Sequence, residues 1–521
     1  MTPSPNMLTS FLINSAKTRA ERTAIQDERR KLTYGQAYRL ALTVARDLRR
    51  NGVTEGERVI LLMHNSVGFC IALWGVLLAG AVAVPLNPET KRDKLAWIAR
   101  DCGPKSLIVD DALLSVAVEA VQASRSDVYF LTHHDGGLMG SKWMGFDDAG
   151  PASDESMSSD DLASVIDRDL AAIIYTSGST GDPKGVMLTH LNMTTAAQSV
   201  SQYLGYVEGD IISCAIPLTF DYGLHQLTMA TLVGATLHVE RNFAQPLFAL
   251  ARMVANGATV LPIVPTMVPL IEPLADRFDL SSVRCITSTA AALHPGKIDT
   301  LAKLFAKATI FSMYGLTECH RCTYLDPAEL ATRKSSIGKA IPNTQLWVVD
   351  AAGRKHFHSA TGELVIRGNT IMKGYWNNPA KTAEKLRMCP DLQEIVLYTG
   401  DTCKLDEEGF LYFVARSDDI LKVAGHKVAP SEIESALLAH DAVSQASVIG
   451  EDHAVHGQRP VAFVTLSNAD LVSAENLLEW CRDRLEPHAI PARIVILHEF
   501  ARSHNGKIDK HVLRKQLLET V

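Results

Sequence analysis

Short apolar runs rich in β-branched residues, at 58–63, 106–109, 128–131 and 171–175, alternate with helical patterns such as Tyr34–Arg50. Strands that are apolar on both faces need helices on both sides, so this alternation predicts α/β layers. From about residue 344 the pattern changes to closely spaced strand candidates at 345–349, 362–367 and 410–415, joined by Gly-containing turns. That predicts a small β-rich subdomain. After Arg416 the order is a helix at 430–440, strands near Ala446 and Val461, a helix at 474–484 and a strand at Arg493–Leu497. A compact α+β unit of about 100 residues accommodates it. With 521 residues the chain is too long for one core. The expected division is a large N-terminal domain, 1–417, with the β-rich subdomain from about 344, and a small C-terminal α+β domain, 418–521.

Several classes are excluded early. Residues 69–86 are uncharged and long enough to span a bilayer, but Gly80 interrupts them and Pro85 lies near their end. The reading is helix, turn, buried strand, without a membrane span. A net charge of -7 offers no basic stripe for nucleic acid. Nine scattered cysteines, an odd number, read as reduced thiols rather than a disulfide framework. Residues 1–20 lack a cationic start followed by an apolar block, so the expectation is a cytoplasmic protein without a signal peptide. Ser- and Asp-rich residues 149–169 are expected to form a solvated surface loop.

Directly after the strand at 171–175 come Thr176, Ser177, Gly178, Ser179 and Thr180, then Gly-Asp-Pro, Lys184 and Gly185. Glycines let backbone N–H groups turn toward phosphate oxygens, the hydroxyls add donors, and Lys184 adds positive charge. A Walker loop has Gly-Lys-Ser/Thr; here Pro183 precedes the lysine and Gly185 follows it. The chain also carries Tyr314-Gly-Leu-Thr-Glu318, Tyr398-Thr-Gly-Asp401, Arg416-Ser-Asp418 and Asn505-Gly-Lys507-Ile-Asp509, in that order.

Together these motifs resemble the adenylate-forming superfamily of acyl-CoA synthetases, luciferases and peptide-synthetase adenylation domains, over essentially the whole chain. The resemblance implies attack of a carboxylate on the α-phosphorus of ATP, giving an acyl-adenylate that then passes its acyl group to a thiol. Such chemistry needs mainly positioning and charge neutralisation. By resemblance, Thr176, Ser177, Gly178, Ser179, Thr180 and Lys184 hold phosphates, Tyr314 stacks on adenine, Ala291 and Gly315 line the nucleotide, and Thr317 is a phosphate ligand. Glu318 is the expected Mg²⁺ ligand, a role suited to a hard carboxylate oxygen. Asp401 and Arg416 are expected at the ribose. Lys507 is the expected transition-state donor at the substrate carboxylate and α-phosphate. Asp418 is the expected hinge of a mobile C-terminal domain whose rotation presents Ile420 to Gly425 to the thiol, with Lys422 assisting transfer.

The chain departs from the family pattern at Pro217-Leu-Thr-Phe220-Asp221-Tyr-Gly-Leu-His225, where acyl-CoA synthetases usually have Pro-Leu-Phe-His. Phe220 stands in the histidine place, and Phe220-Asp221 matches the pair by which amino-acid adenylation domains grip an ammonium. A buried acid needs a cationic partner; substrate ammonium and Arg321 are the candidates, and Asp221 and Arg321 pairing with each other is the alternative. Thr289 and Ala290 replace the usual glycines, which predicts a narrower pocket and a small acid. Phe220, Asp221, His225, Thr289 and Arg321 are therefore the expected substrate contacts. The leading expectation is activation of an amino acid or small polar acid for the phosphopantetheine thiol of a stand-alone carrier protein. The alternatives are an AMP-forming acyl-CoA synthetase using free CoA, a luciferase-like oxygenase and a non-catalytic nucleotide-binding regulator. Cys319 and Cys322 form a CxxC without a second pair, and no zinc site is expected of them.

Overall fold

The computed structural model describes residues 6–124, 129–133, 164–177, 183–416, 419, 421–423, 426–453, 457–467, 472–502 and 507–519. The chain divides into two compact units. The first comprises Met1–Thr332, Ala340–Gln345 and Arg367–Leu397; the second comprises Arg333–Lys339, Leu346–Ile366 and Tyr398–Val521.

The first unit holds two largely parallel sheets with helices between strands, as the alternation predicts. One runs in the order Gly374–Tyr375, Pro183–Thr189, Leu170–Ser177, Val82–Leu86, Arg58–Leu62, Ser106–Asp110, Tyr129–His133. The other includes, in order, Thr323–Tyr324, Thr309–Tyr314, Cys285–Ser288, Val260–Ile263, Ile211–Cys214, Thr236–Val239, Thr23–Gln26 and Lys31–Thr33. Tyr34–Arg50 is helical with the expected bounds, opened by a capping box between Thr33 and Gln36. Residues 69–86 resolve as expected into the helix Val67–Leu78, a turn at Gly80 with φ 77° and the strand Val82–Leu86. Every residue of that helix is buried. A Cβ on Gly75 would stand 2.3 Å from Val44 Cγ1, so glycine is what lets the helix press against Tyr34–Arg50. Among the described residues no helix is long and apolar enough to cross a membrane.

One strand lies within what the sequence reads as loop. Pro183–Thr189 returns antiparallel to Leu170–Ser177, so the hydroxyl-rich segment is bracketed by a β-hairpin with Thr176 opposite Lys184. Its polar residues and Pro183 read as loop because the pairing, not the alternation, makes the strand.

In the second unit, Val348 and Val349 pair with His356 and Lys355, and Leu411–Arg416 pairs with the end of Glu394–Leu405. A further sheet has the order His426–Val428, Leu421–Val423, Gly457–Leu466, Val443–His453, with Arg493–Leu497 parallel to Gly457–Leu466. Val448, Ala462 and Val464 face a core with Ile433, Leu437 and Leu477, whereas Ile449, Val461 and Phe463 face one with Phe500 and Leu513. This period of two covers both faces of the sheet. The helices end at Leu438 and Arg482, short of the expected His440 and Arg484, because those two N–H groups turn back to Leu437 and Cys481 carbonyls three residues earlier. Of the expected surface loop, residues 149–163 lie outside the described residues.

Candidate active site

The hairpin supplies the first part of the site. Thr176 Oγ1 donates to the Lys184 carbonyl at 3.5 Å, and Lys184 Nζ lies 5.9 Å from the centroid of the Tyr375 ring. Gly185 is demanded by packing: a Cβ there would meet Ile173 Cγ2 at 2.8 Å. The Ser177 side chain and Gly178, Ser179 and Thr180 lie outside the described residues.

A segment not singled out from the sequence ties this hairpin to Glu318. Lys373 N–H donates to the Met187 carbonyl at 2.9 Å and Trp376 N–H to the Gly185 carbonyl at 2.7 Å. One residue earlier, Met372 N–H donates to the Glu318 carbonyl at 2.8 Å, and the Tyr375 hydroxyl donates to Glu318 Oε1 at 2.7 Å. Tyr375 is buried, so this bond holds the half-buried Glu318 carboxylate in one orientation. No signal in the isolated sequence marks Tyr375, since its partner is 57 residues away.

Tyr314 ends the strand Thr309–Tyr314, and residues 315–321 close a tight loop between Tyr314 and Cys322, whose N–H donates to the Tyr314 carbonyl at 3.1 Å. Gly315 is required there: a Cβ would stand 2.1 Å from the His320 carbonyl oxygen. Thr317 is buried in the same loop. Tyr203 stacks on Tyr324 at 4.0 Å and donates to Met313 Sδ at 2.9 Å, bracing the strand that carries Tyr314. Cys319 and Cys322 are buried thiols outside any disulfide, as are the other cysteines.

The departure from the family pattern forms a buried polar cluster. Asn65 steadies the approach to it, donating to the Ile216 carbonyl at 2.9 Å and accepting from Leu218 N–H at 2.7 Å. Half-buried Phe220 is the N-cap of the helix Asp221–Val233, on which Asp221 and His225 lie four residues apart on one face. A Cβ on Gly223 would strike the Pro217 carbonyl at 2.2 Å, so that glycine lets the helix start against the preceding turn. Arg321 Nη1 reaches Asp221 Oδ2 at 3.1 Å, donates to the His320 carbonyl at 2.7 Å, and its guanidinium lies 4.7 Å from the Tyr222 ring centroid. Tyr222 donates in turn to the Thr287 carbonyl at 2.8 Å. His225 Nε2 and His320 Nδ1 are hydrogen bonded at 2.7 Å. Burial first, then the neighbouring His320 and Arg321, push His225 well below the usual imidazole range; burial and Arg321 push His320 down to about 3. Thr289 is buried after the strand Cys285–Ser288, Ala290 has φ 74°, and Ala291 is exposed. His320, at φ 59°, is the member of this cluster that the sequence reading passed over.

The second unit brings Asp401 and Arg416 together as a cross-strand pair, Arg416 Nε to Asp401 Oδ1 at 3.3 Å. Asp401 is buried and Arg416 half-exposed. Lys507 is exposed beside the bridge between Arg502 and Ile508. Lys422 lies in the strand Leu421–Val423, its backbone paired with Lys427; Asp418 and Gly425 lie outside the described residues.

Residues 12–376 match the AMP-binding enzyme family, and residues 432–507 match the AMP-binding enzyme C-terminal domain. The chain belongs to the AMP-binding enzyme family. This enzyme is an AMP-forming ligase, as its full-length relatives bear out. It is 30% identical to a 4-coumarate–CoA ligase of Pinus taeda over 98% of this chain and 95% of that one. It is likewise 30% identical to a long-chain-fatty-acid–CoA ligase of Bacillus subtilis, over 99% and 95% of the two chains. The structure of o-succinylbenzoate CoA synthetase from Bacillus subtilis, solved with its acyl-adenylate intermediate, superposes with a TM-score of 0.82 at 26% identity, covering 99% of this enzyme and 98% of that chain. The expected superfamily and fold class hold. The carrier-protein acceptor, which led the expectations from sequence, finds no support among these relatives, whereas the CoA alternative does.

Proposed function

We propose that this enzyme joins a small carboxylic acid to CoA. The carboxylate oxygen bonds to the α-phosphorus of ATP as the bond to pyrophosphate breaks. The thiol sulfur of CoA then bonds to the acyl carbon, AMP leaves, and the thiol proton passes to solvent. The observation that carries this reading is the match along nearly the whole chain to relatives named as CoA ligases for acids as unlike as coumarate and a long-chain fatty acid.

In this reading Thr176 and Lys184, opposite each other on the hairpin, meet the polyphosphate, and Asp401 with Arg416 takes the ribose. Lys507 donates to the α-phosphate and carboxylate during adenylation, worth about 10² to 10³ in rate for such a donor. The Glu318 carboxylate fits a divalent cation: Tyr375 occupies Oε1, and Oε2 remains as a hard donor among the described residues. Bound Mg²⁺ would neutralise phosphate charge there. Asp221 already has Arg321 as its counter-charge, which favours the pair as pocket wall over Asp221 as a grip for substrate ammonium.

The test is pyrophosphate exchange over a panel of acids, followed by thioester formation with CoA and with holo-carrier protein in parallel. Acid-dependent exchange and acyl-CoA with stoichiometric AMP are expected. Thioester on carrier protein but not on CoA would reverse the acceptor assignment, and light or O₂ consumption with the acid would return the oxygenase.

A further inference from the structure

The cluster around His225 and His320 places a specific demand on any acyl group bound there. Asp221, His225, His320 and Arg321 are each less than 5% exposed, and they are joined by the Asp221–Arg321 and His225–His320 contacts at 3.1 and 2.7 Å. Within it, His225 Nδ1, His320 Nε2 and Arg321 Nη2 are buried and make no hydrogen bond among the described residues. Buried polar atoms are nearly always satisfied, so three in one bonded cluster mark a place where another molecule completes the bonding. The backbone agrees: His320 is held at φ 59°, a conformation that persists in a non-glycine residue only where the surroundings impose it.

The chemistry of the missing partner follows from the bonds already made. Two neutral imidazoles carry two ring protons, and the Nε2–Nδ1 hydrogen bond uses one. Whichever ring donates, the outer nitrogens are then one N–H and one bare nitrogen. Arg321 Nη2 adds a further donor. An alkyl group satisfies none of these atoms, a carboxylate only accepts, and an ammonium only donates. The Asp221 and Arg321 charges already cancel, so an added ion would enter the cluster without a counter-charge.

Resting on the ligase reading above, we propose that the acid this enzyme activates carries a neutral group that both donates and accepts hydrogen bonds, a hydroxyl or a carboxamide, and that His225, His320 and Arg321 are the residues that select it. A site built to bond such a group rejects the analogue lacking it far more strongly than a hydrophobic pocket rejects a missing methylene.

The experiment uses the wild-type enzyme and acids of one carbon skeleton ending in methyl, hydroxyl, carboxamide, ammonium or carboxylate, repeated for several chain lengths, with kcat/KM read by pyrophosphate exchange. The hydroxyl or carboxamide member should exceed its methyl isostere by about 10²-fold or more. His320→Gly and His225→Leu should each shrink that ratio to a few-fold, a change that loss of folded protein alone would not produce. A flat panel, as expected if water completes the cluster, or one led by the methyl, ammonium or carboxylate acids, overturns the inference while leaving the ligase reading intact. Exchange with no acid at all removes both.

Discussion

Arg321 and Asp221, 100 residues apart in the chain, meet at 3.1 Å with both side chains almost wholly buried. Removing one partner of such a pair strands a charge, at about 3 to 5 kcal/mol, whereas removing both strands none. Asp221→Ala and Arg321→Ala should therefore each lower the unfolding midpoint strongly, and the double variant should be less destabilised than the sum by about 0.5 to 3 kcal/mol. Strict additivity in denaturant titrations would mean that the two charges do not depend on each other.

Tyr375 is bonded to Glu318 Oε1 at 2.7 Å, so Tyr375→Phe frees the carboxylate without emptying the space beside it. Loss of a hydrogen bond to a charged group is worth about 1.5 to 3 kcal/mol. The variant should need roughly tenfold or more Mg²⁺ for half-maximal pyrophosphate exchange. An unchanged Mg²⁺ titration would separate Tyr375 from the function of Glu318.

His190 is buried, accepts weakly from Leu8 N–H through Nδ1 at 3.4 Å, and is pushed down to about 4 by desolvation. Its folded value lies below its unfolded value, so the unfolded chain binds the extra proton between about pH 6.5 and pH 4. The stability it contributes is present above pH 6.5 and is lost as pH falls toward 4, amounting to roughly 3 kcal/mol at full protonation. His190→Gln should flatten the fall in melting temperature between pH 7 and pH 5 relative to wild type. Parallel curves for the two proteins would show that His190 is not the source.

Ala290 stands at φ 74°, where a Cβ costs roughly 1 to 2 kcal/mol and glycine nothing. Offset by the greater freedom of unfolded glycine, Ala290→Gly should leave stability unchanged or raise it by up to about 1 kcal/mol. Ala290→Val should destabilise clearly, because β-branching is least tolerated there. Calorimetry of the two variants decides it; equal effects would place the strain elsewhere.

Local chemistry was legible in the chain itself. The period of the strands and of the helix Tyr34–Arg50, the helix–turn–strand at Val67–Leu86, and the order of the hydroxyl-rich loop, Tyr314 to Glu318, Asp401, Arg416 and Lys507 depend on neighbours a few residues apart, which sequence displays directly. The acceptor was not legible: Phe220-Asp221 pointed toward an amino acid and a carrier protein, because sequence alone left Asp221 without a settled partner. Tertiary structure decided what long-range contact decides. It gave Asp221 the guanidinium of Arg321 and closed His225 onto His320 across 95 residues. It also fastened Glu318 to Tyr375 and made Gly315 obligatory by laying the His320 carbonyl against it. Each is a bond between chain segments whose pairing has no periodicity to announce it, and the buried charges and imidazoles take their properties from those partners rather than from their neighbours in sequence.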